Sequence, residues 1–167
     1  GLSERAREIN TEGARITRSV VGDKAVVAGD VGPSARFIAL GEISGEELYA
    51  AYAEQARSLR DGGADWIVVE SMTDVEEMAI AVRAARETTG LPVVASMTYN
   101  TTPKGYRTMM GNAVAECVDA AVAAGAAIVG SNCGNGSEAM VEIAAEFRRL
   151  KSAYGNQAFD VPYGTGG

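Results

Sequence analysis

The chain has 167 residues, 47% of them apolar and 22% charged, with a formal net charge of −7. That is room for one domain with a sizeable core, and an acidic chain without a basic stripe argues against nucleic acid or an anionic membrane as partner. Histidine is absent, which excludes a Ser-His-Asp triad, an imidazole base and every His-ligated metal site.

In chain order, segment 3–20 reads as a helix with Ser3 as N-cap and Leu2, Ala6, Ile9, Ala14, Ile16 and Val20 as its apolar face. Gly22 ends it. Ala25, Val26, Val27 and Ala28 form a short continuous apolar run, the mark of a buried strand, and turn formers from Gly29 to Ser34 stop it. A second helix over 45–61 starts after Ser44, carries Glu46 and Glu47 in its first turn, and closes at Gly62 and Gly63. Strand 66–69 ends at Glu70, and Asp74 caps a helix over 75–88. Strand 93–97 precedes a polar loop from Thr98 to Arg107. A helix over 112–124, a strand over 127–130, a turn over 131–136 and a helix over 137–151 follow. The tail, 152–167, has no helical period and is Gly-rich at its end, with a weak strand signal at Ala158 to Val161.

Four short buried strands thus alternate with five helices at a period of about 30 to 35 residues, the βαβ crossover repeat, which requires a parallel sheet. An open doubly wound sheet and part of a (β/α)8 barrel both fit. A complete barrel takes about 250 residues. The order, opening on a helix, reads as a barrel entered after its first strand and left after its fifth helix. The expected organisation is a partial barrel over 1–151 and a tail or linker over 152–167. The charged segment Gly1 to Asn10 does not read as a signal peptide, and no apolar run approaches a membrane span. Two cysteines in an acidic chain point to a reducing, cytoplasmic setting.

Polar residues collect at the strand ends. Asp30, Glu70, Ser96, Asn132 and Cys133 all fall at C-terminal ends of the four strands, the edge where parallel α/β folds bind ligands. Asp30, in a Gly-Pro loop, reads equally as a turn residue. Glu70 follows four bulky apolar residues, so its carboxylate needs a partner, either a ligand ammonium or a neighbouring loop. Cys133 lies in a Gly-flanked turn before a helix N-terminus, a setting that favours thiolate, the form that binds zinc or attacks as a nucleophile. Cys117 lies inside a helix among alanines and valines and reads as packing. The glycines at 29–32 and 134–136 make only a weak phosphate signal, without a P-loop. Met72, Met97, Met109 and Met110 read as core filling or the lining of an apolar pocket.

The strings GDVGPS (29–34), YAEQARSLRDGGADWIVVESMTD (52–74), PVVASMTY (92–99) and GAAIVGSNCGNG (125–136) resemble the homocysteine S-methyltransferase domain, over roughly residues 5 to 148. The domain is that of cobalamin-dependent methionine synthase and betaine–homocysteine methyltransferase. The resemblance implies a (β/α)8 barrel with Zn2+ at its mouth on three cysteine thiolates, where a substrate thiol binds as the fourth ligand and attacks an activated methyl group. It makes Cys133 a zinc ligand and Glu70 the carboxylate that receives the homocysteine amino group. It puts Ser96 and Asn132 in the mouth and Asp30 in a loop near the substrate. The family's adjacent cysteine pair, in a Gly-Gly-Cys-Cys-Gly turn, has no counterpart here, nor has its first strand. Three explanations compete: part of a longer enzyme, a barrel completed by another chain or a second copy, or a zinc-free variant. The implied partners are a small thiol or methyl donor and a corrinoid protein or domain carrying cobalamin. The implied alternatives are a corrinoid-dependent methyltransferase acting on a methylated amine and a non-catalytic half-barrel.

Overall fold

The computed structural model of the chain describes residues 2–154. Four parallel strands, β1 (Ala28–Val31), β2 (Trp66–Met72), β3 (Val93–Met97) and β6 (Ile128–Ser131), lie side by side in that order. Between β3 and β6 a small antiparallel hairpin, β4 (Asn100–Thr102) and β5 (Gly105–Arg107), stands apart from the sheet. Five helices follow the alternation: α1 (Ala6–Val21), α2 (Gly45–Asp61), α3 (Val75–Thr89), α4 (Val114–Ala124) and α5 (Ser137–Tyr154). Each contacts the next, which makes one curved outer layer.

Local chemistry sets the helix ends. Ser44 and Glu47 form a reciprocal capping box: the Ser44 hydroxyl accepts the Glu47 N–H, and the Glu47 carboxylate accepts the Ser44 N–H. The Asp74 carboxylate accepts the N–H groups of Glu76 and Glu77 and so starts α3. Gly90 and Gly125 stop α3 and α4 in the left-handed conformation.

The layer packs tightly on one face of the sheet. A Cβ on Gly29 would sit 2.9 Å from Leu59 of α2, so the missing side chain lets helix and strand touch. That contact fixes the outer face. By register Ile67 lies beside Gly29, and Ala95 and Val129 beside Val69. All four of these apolar partners are buried. The opposite, inner face carries Asp30, Val68, Val94 and Ile128 in one row, with Trp66 below and Glu70 above. Trp66, Val68 and Ile128 are only half-buried there.

Four expectations about element bounds shift. The first turn, Ser3–Arg5, is a 3-10 helix with no side-chain cap, so Ser3 does not start α1. The first strand begins at Ala28, not Ala25: Val26 is exposed, and pairing starts where the Val27 carbonyl accepts the Asp65 and Trp66 N–H groups. It then runs through Gly29 and Asp30 to Val31, so this stretch is strand rather than the expected loop of turn formers. The polar loop after β3 contains the hairpin β4–β5. The weak strand at Ala158 to Val161 lies outside the described residues.

Candidate active site

The sheet brings the polar residues of the sequence to one edge. Asp30, on β1, is exposed on the inner face, and Glu70, on β2, is half-buried above the same row. Neither is in an ion pair among the described residues. Partial desolvation by the surrounding protein raises the carboxyl of Asp30, exposed as the residue is, above its ordinary range, against a bond from the Val31 N–H that lowers it. Burial, then the negative charge of Asp30, raises Glu70. Two carboxylates held at elevated affinity for protons, without a cation, are an arrangement that a bound ammonium would relieve.

A bulge builds the next part. Val69 pairs with Ala95, but Met72 pairs with Met97, so β2 carries one extra residue. Ser71 absorbs it with a φ of 59°. Its hydroxyl oxygen lies 3.4 Å from Cys133 Sγ. Cys133, in the turn after β6, is exposed and also has a φ of 59°. Between them sits Asn132. Its Oδ1 accepts the Ser71 N–H (3.0 Å) and the Ser96 hydroxyl (2.7 Å), and its Nδ2 donates to Ser71 Oγ (2.8 Å) and to Cys133 Sγ (3.3 Å). Ser96, 7% exposed, thus faces Asn132.

The turn is anchored from the hairpin side. The Asn135 side chain donates to the Tyr99 carbonyl, and Thr101 Oγ1 donates to Asn135 Oδ1. Gly134 has a φ of +75°, and a Cβ there would stand 3.0 Å from the Tyr99 carbonyl oxygen, so both conformation and space require glycine. The methionines do not form one group. Met72 and Met97 are core, while Met109 and Met110 are exposed in the loop after β5.

The described residues do not make a three-thiolate zinc centre. Cys133 is the one exposed thiol, and no group of three or more His, Cys, Asp or Glu among these residues is placed to hold a metal. Cys117 is buried in α4, where burial pushes its thiol up to about 11.

Sequence reasoning singled out Asp30, Glu70, Ser96, Asn132 and Cys133: hydrogen bonds join Ser96, Asn132 and Cys133 at the ends of β3 and β6, whereas Asp30 lies within β1, in the row of Val68, and not at the strand end. It missed Ser71, because strict alternation after Glu70 would turn that residue to the outer face. It also missed Glu77, a buried carboxylate of α3. Its Oε1 accepts the Ser34 N–H and the Tyr52 hydroxyl and so ties down the loop that follows β1.

The fold is a portion of a (β/α)8 barrel, with its polar cluster at the edge where such barrels bind ligands. The sequence profile of the homocysteine S-methyltransferase family matches residues 1–164, and the chain belongs to this family. The match runs past Lys151 into the tail. The chain is 29% identical over 152 residues to methionine synthase of Mycobacterium tuberculosis, covering 84% of this chain and 12% of that protein. It is 31% identical over 128 residues to betaine–homocysteine S-methyltransferase 1 of Rattus norvegicus, covering 76% of this chain and 30% of that protein. Among solved structures it resembles the apo homocysteine methyltransferase MmuM of Escherichia coli in fold, with a TM-score of 0.72 at 17% identity, over 98% of this chain and 62% of that one. The chain therefore spans well under half the length of the curated relatives it matches. No helix among the described residues is long and apolar enough to cross a membrane.

Proposed function

We propose that the chain forms the thiol-acceptor side of a methyltransferase that moves a methyl group onto a homocysteine-type thiol. The observation that carries the reading is Glu70, on β2 and in no ion pair among the described residues, with Asp30 on the same inner face and the exposed Cys133 in the turn after β6, in a chain of this family. Glu70 receives the substrate ammonium, whose charge offsets the repulsion from Asp30 and the burial of the carboxylate. Asp30 adds a second negative charge on the same inner row. Ser96 acts from behind, through Asn132. The row of Val68, Val94 and Ile128 offers apolar contact to the methylenes between ammonium and thiol.

The test is methionine formation from homocysteine with isotopically labelled methyl donors of three kinds: a betaine, an S-methyl sulfonium amino acid and a methyl-corrinoid. Labelled methionine from one of them is the expected outcome. A folded protein that yields none from any of the three overturns the reading.

A second reading is favoured by one observation: among the described residues β1 and β6 are open sheet edges and the inner face is uncovered. A half-barrel of this kind self-associates. Light scattering distinguishes it, since a monodisperse monomer contradicts self-association.

A further inference from the structure

Asn132 is placed differently from the other polar residues of the mouth. A side-chain amide has two donor hydrogens and two acceptor sites. All four are taken inside the protein: Oδ1 by the Ser71 N–H and the Ser96 hydroxyl, Nδ2 by Ser71 Oγ and Cys133 Sγ. The Ser71 N–H can only donate, so it fixes which end of the amide is oxygen. Nothing remains for a substrate.

The backbone of Asn132 is held as well. Its N–H donates to the Met97 carbonyl and its carbonyl accepts the Thr98 hydroxyl, so the residue is pinned to the end of β3. The side chain therefore spans three strands. It reaches Ser71 on β2 and Ser96 on β3 from the end of β6. The two side chains it grips on the mouth side, Ser71 and Cys133, are both non-glycine residues in the left-handed region. Such a conformation is rarely adopted by a residue with a Cβ and persists only where the surroundings over-determine it.

We infer that Asn132 is a positioning residue: its amide clamps the Ser71 bulge and the Cys133 turn together and holds Cys133 Sγ in one rotamer at the mouth, without contacting substrate. The inference rests on the reading of Cys133 as part of the thiol-handling mouth. Ser96 is then the rear anchor of the clamp, acting on Cys133 only through Asn132.

The test is the rotamer of Cys133 in the full chain, read by NMR from the couplings of its two Hβ protons to Hα and to the carbonyl carbon. The parent shows the unequal couplings of a single rotamer. Asn132→Asp keeps the acceptor oxygen for Ser71 and Ser96 but loses both N–H donors. It is expected to retain its circular dichroism and to show averaged couplings at Cys133. Ser96→Ala touches neither Cys133 nor Ser71, and is expected to average them in part. It also serves as the readout should Asn132→Asp fail to fold. Unchanged Cys133 couplings in a folded Asn132→Asp protein, or in Ser96→Ala if the former does not fold, overturn the inference. A general loss of packing would move couplings across the core, so buried Val129 and Ile143 serve as internal controls and are expected to stay unchanged. The experiment contains no homocysteine. A chain that fails to transfer methyl groups but shows the averaging keeps the clamp and loses the proposed function.

Discussion

The loop after β1 leads away from Asp30, and a buried carboxylate holds it. Glu77, 5% exposed, accepts the Ser34 N–H at 2.7 Å and the Tyr52 hydroxyl at 2.6 Å. The hydroxyl of Tyr52 is pushed far above its ordinary range, first by burial and then by its bond to Glu77. Both are hydrogen bonds to a charged group, worth about 1.5 to 3 kcal/mol each. Tyr52→Phe removes one and leaves the Ser34 N–H in place, so it should cost about 2 kcal/mol. At this chain length that is about 4 to 8 °C of melting temperature. Glu77→Ala strands the Ser34 N–H and leaves the Tyr52 hydroxyl only its long bond to the Gly32 carbonyl (3.4 Å), so it should cost more than Tyr52→Phe, about 2 to 5 kcal/mol. Because the two side chains share one bond, the double variant should lose less than the sum, by about 0.5 to 3 kcal/mol. Thermal and urea unfolding of the four proteins supplies the cycle, and amide exchange at Ser34 reports the loop directly. A Tyr52→Phe protein that melts within about 1 °C of the parent would refute the reasoning, as would strict additivity.

Further outcomes follow from other contacts. Asp30 and Glu70 bind protons more tightly when folded, so their effect is absent below the unfolded carboxyl range and becomes a destabilisation as pH rises through the raised folded values. Glu70→Gln should therefore raise the melting temperature at pH 7 and lose that gain near pH 4; a gain of equal size at both would contradict the burial argument. Gly62→Ala should destabilise by about 1 to 3 kcal/mol, because its Cβ would stand 2.2 Å from the Thr11 carbonyl oxygen and wedge α1 from α2; urea unfolding measures it. Native labelling with a maleimide should modify Cys133 and spare Cys117, which is buried, so mass spectrometry should find a single adduct until the chain unfolds. Arg18→Met should lower stability, since its guanidinium donates to Asp65 and to the carbonyls of Gly22, Ala25 and Gly63, at the edge opposite the mouth. Thiol binding should not change in that variant, which calorimetry checks.

The alternation of strands and helices was legible because apolar runs such as Trp66 to Val69 end at a polar residue, and because α2 and α3 open on the capping residues Ser44 and Asp74. The same polarity step exposed Glu70 and Cys133. What stayed hidden depends on contacts distant in sequence. The bulge at Ser71 exists because Asn132, 61 residues away, offers both an acceptor and a donor to it. The start of β1 moved because pairing to β2 begins at Val27, and Ala25 and Val26 have no strand beside them to cover them. The hairpin was hidden because Asn100 to Arg107 is polar and short, without apolar alternation, and its turn at Pro103 and Lys104 reads as loop.

The most direct measurement compares, by calorimetry on the full chain, the affinity for homocysteine with that for 4-mercaptobutanoate, which keeps the thiol and carboxylate and lacks the amino group. The account predicts tighter binding of homocysteine, and a preference that disappears in Glu70→Gln. Equal affinity of the parent chain for both thiols would contradict it.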